Sequence, residues 1–157
     1  MIVLLMGVSG AGKTTLGERL AKRLAWPFID ADDYHPAANV AKMAAGIALE
    51  DEDRWPWLDA LNRRLREEHN AVVACSALKE SYRARLLAGI VDARVVFLHG
   101  AKALIAERVA ERKHRYMPAS LLESQFAALE PPRHAITVNV AGDPVACVEV
   151  IAAALLG

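Results

Sequence analysis

Short apolar runs alternate along this chain with stretches in which apolar side chains recur every three or four positions. The runs predict strands over 2–6, 27–30, 71–75, 94–98 and 136–140. The three-to-four spacing predicts helices over 13–25, 36–45, 52–69, 79–89, 101–112, 119–129 and 144–156. Leu16, Leu20 and Leu24, for example, share one face of the first helix. Pro27 opens the second strand, and Pro131-Pro132 separates a helix from the last one. Strands alternating with helices imply βα units and an α/β fold built on a five-stranded parallel sheet flanked by helices. No repeat, low-complexity segment or linker divides the chain, so residues 1–157 are expected to form one domain. Ligands of such sheets bind beyond the carboxyl ends of the strands, and the residues just after each strand are the ones to read for chemistry.

After the first run stands Gly7-Val8-Ser9-Gly10-Ala11-Gly12-Lys13-Thr14, followed by Thr15 and a helical pattern. It fits G-x-x-x-x-G-K-[ST] in the strand–loop–helix context that this phosphate-loop motif requires. Its glycines let backbone N–H groups converge on one cavity, backed by the positive end of a helix. Lys13 can reach the outer phosphates and the Thr14 hydroxyl can ligate Mg²⁺. A glycine-rich turn that happens to hold a lysine is the bland alternative, and the flanking pattern argues against it. The stretch Gly7–Thr15 therefore predicts binding of a nucleoside triphosphate.

Composition narrows the class. Across 157 residues, Lys+Arg and Asp+Glu both count 19, so the chain carries no net charge at pH 7. General binding to nucleic acid or a membrane surface usually needs a basic excess. No apolar run approaches the roughly 20 residues of a membrane span. The run Ile2–Met6 lacks the basic flank of a signal peptide and leads into the phosphate loop. A cytoplasmic location is the expectation. Cys75 and Cys147 make no disulfide framework and are expected to be buried as small hydrophobes. No two of the five histidines have metal-ligand spacing on one helix, so no zinc site is assigned.

The second strand leads into Asp30-Ala31-Asp32-Asp33-Tyr34-His35-Pro36. If the extended form persists, alternation points Asp30 and Asp32 the same way, toward the phosphate loop. Two carboxylates there suit holding the water shell of Mg²⁺ and accepting a proton from an attacking hydroxyl. An aspartate-rich turn capping the next helix is the competing reading. Further on, Asp51, Glu52 and Asp53 fit the negative start of a helix, with Arg54 one turn inside between them and Trp55-Pro56-Trp57. Arg63 and Arg64, four residues before Glu67 and Glu68, read as surface pairs.

Two pairs of like charges at helical spacing point to anions. Lys79 and Arg83 follow Cys75-Ser76-Ala77-Leu78, and Arg108 and Arg112 precede Lys113, His114 and Arg115. Each pair repels on a helix unless an anion lies between its members. Glu80 could relieve the first pair, and Glu111 could take Arg115 on the surface. Phosphoryl transfer needs cations over the leaving oxygens and exclusion of water, which a basic helix end leading into a lid over 108–118 would supply.

These segments together resemble the gluconokinase family of small P-loop kinases. The matching stretches are 7–15 (GVSGAGKTT), 30–49 (DADDYHPAANVAKMAAGIAL), 51–58 (DEDRWPWL), 75–83 (CSALKESYR) and 121–132 (LLESQFAALEPP). The His35-Pro36…Asn39…Lys42-Met43 run and the CSALK segment are far more specific than the phosphate loop. The resemblance implies transfer of phosphate from MgATP to the 6-hydroxyl of D-gluconate, on a fold shared with shikimate and nucleoside monophosphate kinases. The lid departs from the family pattern: many relatives look like Gly-His-Phe before Met, whereas here His114-Arg115-Tyr116 precede Met117-Pro118.

By that resemblance Asp32 acts on the 6-hydroxyl as base or orienting group, and Asp30 reaches Mg²⁺ through water, beside Thr14. Lys13 and Arg112 meet the transferred phosphate, with Arg108 in support. Gluconate carries a carboxylate remote from the reacting hydroxyl, for which Arg54, Lys79 and Arg83 are the candidate cations. Arg54 is favoured because only arginine offers a planar two-point clamp, and His35 is placed on sugar hydroxyls. The expected partner is this small molecule, not nucleic acid or membrane; a homodimer is allowed for. Rival readings are weaker. A shikimate-like kinase would carry a glycine triplet where CSAL stands, and a nucleoside monophosphate kinase other substrate motifs. A GTP-operated switch would need N-K-x-D and D-x-x-G, which do not occur. A dead nucleotide-binding module sits poorly with intact Lys13, Thr14, Asp30 and Asp32.

Overall fold

The computed structural model describes residues 1–111 and 119–157, with the backbone alone for Ala119 and Ser120. Its strands are β1 (Ile2–Met6), β2 (Phe28–Asp30), β3 (Ala71–Ala74), β4 (Ala93–His99) and β5 (Ile136–Asn139). They form one sheet in the order β2-β3-β1-β4-β5, with every pairing parallel. Between them lie α1 (Lys13–Leu24), α2 (Ala37–Ala44), α3 (Asp51–Arg66), α4 (Glu80–Leu86), α5 (Lys102–Ala110), α6 (Ala119–Ala128) and α7 (Pro144–Leu156). Each predicted element is present, with ends that differ by a few residues. Among the described residues no helix is long and apolar enough to cross a membrane.

The central strand explains why the apolar runs carry no alternation. Val3 and Leu5 of β1 pack into a core with Leu16 and Leu20 of α1 and Val148 and Ile151 of α7. Ile2, Leu4 and Met6 pack into a second core on the other face, with Leu58, Leu61 and Leu65 of α3 and Leu86 of α4. A strand buried on both faces must be apolar throughout. Leu4 is fully buried, and Leu4→Ala would cost about 2–5 kcal/mol of stability.

The expectation that Asp30 and Asp32 stay on one extended strand is corrected. The chain leaves β2 at Asp30 and turns into a 3₁₀ helix over Ala31–Tyr34. The Asp30 carboxylate caps it, accepting from the Asp32 backbone N–H at 3.0 Å. Aspartate at such a position offers the backbone a local partner that competes with continued strand pairing. α3 starts with a reciprocal cap: Glu50 and Asp53 each accept from the other's backbone N–H. Both cysteines are free and buried, and burial, the largest influence, pushes the Cys75 thiol up to about 12.

Candidate active site

The carboxyl ends of three strands stand level. Leu5 of β1 and Asp30 of β2 both register with Ala74 of β3, so the segments that follow emerge at one edge. Gly7–Gly12 follows β1, the Ala31–Tyr34 turn follows β2, and Cys75–Lys79 follows β3. A backbone bond from Gly7 N–H to Ser76 O, 3.3 Å, ties the first to the third. The Cys75 thiol, behind this edge, feels the charges of Lys13, Asp32 and Asp30 together.

The phosphate loop is built by close packing. Gly7 has φ +153°, and a Cβ on it would lie 2.6 Å from the Leu98 carbonyl oxygen. Gly10 has φ +85°, and a Cβ there would lie 2.6 Å from Val109 Cγ2, so α5 presses directly on the loop. Gly12 precedes the first turn of α1 in a left-handed conformation, leaving that helix terminus open to an anion. Lys13 Nζ donates to Gly7 O and Val8 O, both at 3.0 Å, which holds the ammonium across the loop. Val8 and Ala11 are buried and support the turn, whereas Thr14 and Thr15 are exposed at its mouth. Beside the loop, Gly12, Thr15 and Arg108 line a cavity of about 360 Å³ that extends to Val140 and Gly142. Arg108 is held there by donating to Val140 O at 2.6 Å.

Around the Ala31–Tyr34 turn lies a layer of aromatic and charged groups. His35 stacks on Trp57, ring centroids 4.1 Å apart and planes within 15°. Its Nε2 is 3.9 Å from Asp32 Oδ1. Burial, the largest influence, holds the His35 imidazole below its usual range; Asp32 opposes this and Arg54 adds to it. Asp32 itself is exposed. The Arg54 guanidinium lies 5.0 Å from the centroid of the Tyr82 ring, and Lys79 Nζ lies 5.7 Å from the same centroid. Tyr82 is held by its hydroxyl, which donates to Asp51 Oδ1 at 2.6 Å. Arg54 also donates to Leu49 O at 2.8 Å. One ring thus gathers two of the three cations expected to meet a carboxylate.

Arg83, the third, is a correction. It is 4 % exposed, and its guanidinium donates to Ala77 O at 2.7 Å, Leu78 O at 3.2 Å, Glu130 O at 2.8 Å and Glu80 Oε2 at 2.9 Å. Lys79 is the N-cap of α4, at an extended backbone position, and the charge of Arg83 is taken up by Glu80 and three carbonyls rather than by an anion shared with Lys79. Arg83 instead fastens the loop in which Ala77 takes the unusual φ of +42°, and that loop presents Lys79. Arg112 and the rest of 112–118, including Arg115 and Pro118, lie outside the described residues.

Three groups at this edge carry roles that the sequence does not assign. Gln125 of α6 accepts from Ser9 N–H at 2.7 Å. Asn39 of α2 is 3 % exposed and joins His35 to Asp53. Tyr82 gathers the cations. For Asn39 a signal existed: it stands in the His35-Pro36…Asn39…Lys42-Met43 run, four residues after His35. Gln125 lies in the 121–132 stretch that carries the family resemblance, but nothing near it in sequence points to Ser9.

Comparison with known proteins agrees with this fold. Residues 2–132 match a family model described as an AAA domain. A probable gluconokinase of Xenopus tropicalis is 45 % identical, with 84 % of this chain and 80 % of that protein covered. A gluconokinase of Gluconobacter oxydans is 46 % identical, covering 83 % of this chain and 75 % of that one. The crystal structure of a gluconokinase from Sinorhizobium meliloti 1021 superposes with a TM-score of 0.90 at 43 % identity, covering 98 % of this chain and 90 % of the other. With a phosphate loop, an aspartate turn and paired cations on one sheet edge, and with relatives of this similarity along most of their length, the chain belongs to the gluconokinase family.

Proposed function

We propose that this protein transfers the γ-phosphoryl group of ATP to the 6-hydroxyl of D-gluconate, giving 6-phospho-D-gluconate and ADP. The observation that carries the reading is the convergence at one sheet edge of the phosphate loop, Asp32 and the Arg54–Lys79 pair on Tyr82. Gluconate has a hydroxyl at one end and a carboxylate at the other, and this edge offers a carboxylate and a pair of cations.

In this reading the O6–P bond forms as the bond between Pγ and the ADP oxygen breaks, and the hydroxyl proton passes to Asp32. Lys13 and the amides of Gly7–Thr15 meet the charge on the phosphoryl oxygens, supported by Arg108 and, from the proposed lid, Arg112. Arg54 and Lys79 receive the substrate carboxylate, His35 a sugar hydroxyl. Thr14 and Asp30 suit Mg²⁺ by donor type, since a hydroxyl and a carboxylate are hard oxygen donors. No group of three or more His, Cys, Asp or Glu among the described residues forms a metal cage. Mg²⁺ needs none, because with phosphates it usually keeps several waters and takes one or two protein oxygens. Bound there, the ion would neutralise charge on the β- and γ-phosphates. The same reading puts the reaction in the cytoplasm, with a homodimer as the assembly to test.

A panel of acceptors tests the assignment. With MgATP, kcat/KM should be highest for D-gluconate and far lower for other aldonates, shikimate and nucleoside monophosphates. A higher value for shikimate would transfer the assignment to the rival hydroxy-acid kinase.

A further inference from the structure

Asn39 holds His35 in a chemically defined way. Asn39 Nδ2 lies 2.9 Å from Asp53 O and 3.2 Å from His35 Nδ1. A backbone carbonyl only accepts, so the atom facing it is the amide nitrogen, and its two N–H bonds serve the two partners. A ring nitrogen that accepts carries no proton. The neutral imidazole must then hold its proton on Nε2, the nitrogen facing Asp32 Oδ1 at 3.9 Å. The ring does not gain by turning over to exchange its nitrogens, because a ring C–H would then face the Asn39 amide. It stacks on Trp57, whose own Nε1–H is fixed on Ala31 O at 2.7 Å. Asp53 is fixed in turn, by Lys42 at 2.8 and 2.9 Å and by the Glu50 backbone N–H at 2.8 Å.

We propose that Asn39 is a positioning residue that locks His35 as the Nε2–H tautomer, so that the ring is a hydrogen-bond donor facing Asp32. This rests on the reading of Asp32 as the acceptor of the substrate proton. A hydroxyl oxygen about 2.8 Å from both Nε2 and Asp32 Oδ1 would bridge them at an angle of about 90°. It would accept from His35 and donate to Asp32, so one substrate hydroxyl is recognised by a donor and an acceptor at once. With the other tautomer, Nε2 would accept, and the same hydroxyl would face two acceptors with one proton.

Long-range ¹H–¹⁵N correlation spectra of the free, full-length protein test this without substrate, with His35 assigned by comparison with His35→Gln. The expected spectrum shows His35 with Nε2 protonated and Nδ1 unprotonated; the reverse pattern overturns the proposal. Asn39→Asp supplies an acceptor to Nδ1 and should move the proton there or leave the ring doubly protonated at neutral pH. It should lower kcat by about tenfold to a hundredfold while KM for ATP stays within about twofold. If His35 keeps Nε2–H and kcat is unchanged in Asn39→Asp, Asn39 does not set the tautomer. Should that variant not fold, the wild-type spectrum decides alone. The base reading is tested separately: Asp32→Asn with normal turnover would sink it and leave the tautomer result standing.

Discussion

Gln125 Oε1 accepts from the Ser9 backbone N–H at 2.7 Å, and Gln125 Nε2 reaches Ser9 Oγ at 3.2 Å. A neutral amide on α6 thus takes up one of the N–H groups of the phosphate loop. It joins the loop to the helix that follows the proposed lid. A carboxylate in its place could still accept from Ser9 N–H, yet would bring a negative charge to the triphosphate. Like charges a few ångströms apart repel by a few kcal/mol near a protein surface. Gln125→Glu should therefore raise KM for ATP by about tenfold or more, and Gln125→Ala by less, with KM for gluconate little changed. Steady-state kinetics of both variants would show this, and equal effects would mean that Gln125 only packs.

The two aspartates should separate cleanly. Asp32→Asn keeps the shape and removes the proton acceptor, so kcat should fall by about 10²–10⁴ with ATP binding retained. Asp30→Asn should instead raise the Mg²⁺ concentration needed for half-maximal rate. Exchange of the two phenotypes in a Mg²⁺ titration would exchange the assignments. Asp30→Asn should also cost little stability, because an asparagine oxygen can still accept from Asp32 N–H.

The Tyr82 platform predicts a graded series. Arg54→Ala should raise KM for gluconate at least tenfold, since a charge-assisted two-point contact is lost, and leave KM for ATP nearly constant. Tyr82→Phe keeps the ring beneath Arg54 and Lys79 but frees Asp51, so its effect on KM for gluconate should be smaller. Equal changes in both KM values for Arg54→Ala would make Arg54 structural.

Stability should fall on mild acidification. Burial lowers the proton affinity of His35 in the folded chain. As pH drops below about 6.5, the unfolded chain binds that proton first, which favours unfolding. The loss continues until the folded-state His35 also protonates, and is absent above about pH 7.5. Urea unfolding between pH 8 and 5 should show this decline, and His35→Gln should flatten it. An unchanged slope in that variant would place the acid sensitivity elsewhere.

How much of this was legible in the sequence depends on how local the cause is. The strands and helices were readable because each apolar run answers to its own burial, as Ile2–Met6 does between two cores. The phosphate loop was readable because its glycines satisfy a local backbone need. The Ala31–Tyr34 turn is the reading that sequence ranks second, because Asp30 chooses between strand pairing and the Asp32 N–H, a close local competition. Arg83 was misplaced for a different reason. Its partners at Ala77, Leu78 and Glu130 come together only when the 130 region packs against the loop before α4. Spacing reveals that Lys79 and Arg83 are four apart, but not that one faces the site and the other the core. The Gln125–Ser9 bond, between residues distant in sequence, carried no local signal at all.

The proposed reaction places phosphate on the 6-oxygen of D-gluconate. Purified protein with MgATP and D-gluconate should yield one phosphorylated product, followed by ³¹P NMR with proton coupling. The expected signal is a phosphate coupled to the two C6 protons, formed in step with ADP and reduced about 10²–10³-fold in rate in Lys13→Ala. ADP release without a phosphogluconate signal, or phosphate coupled to a different carbon's proton, would contradict it.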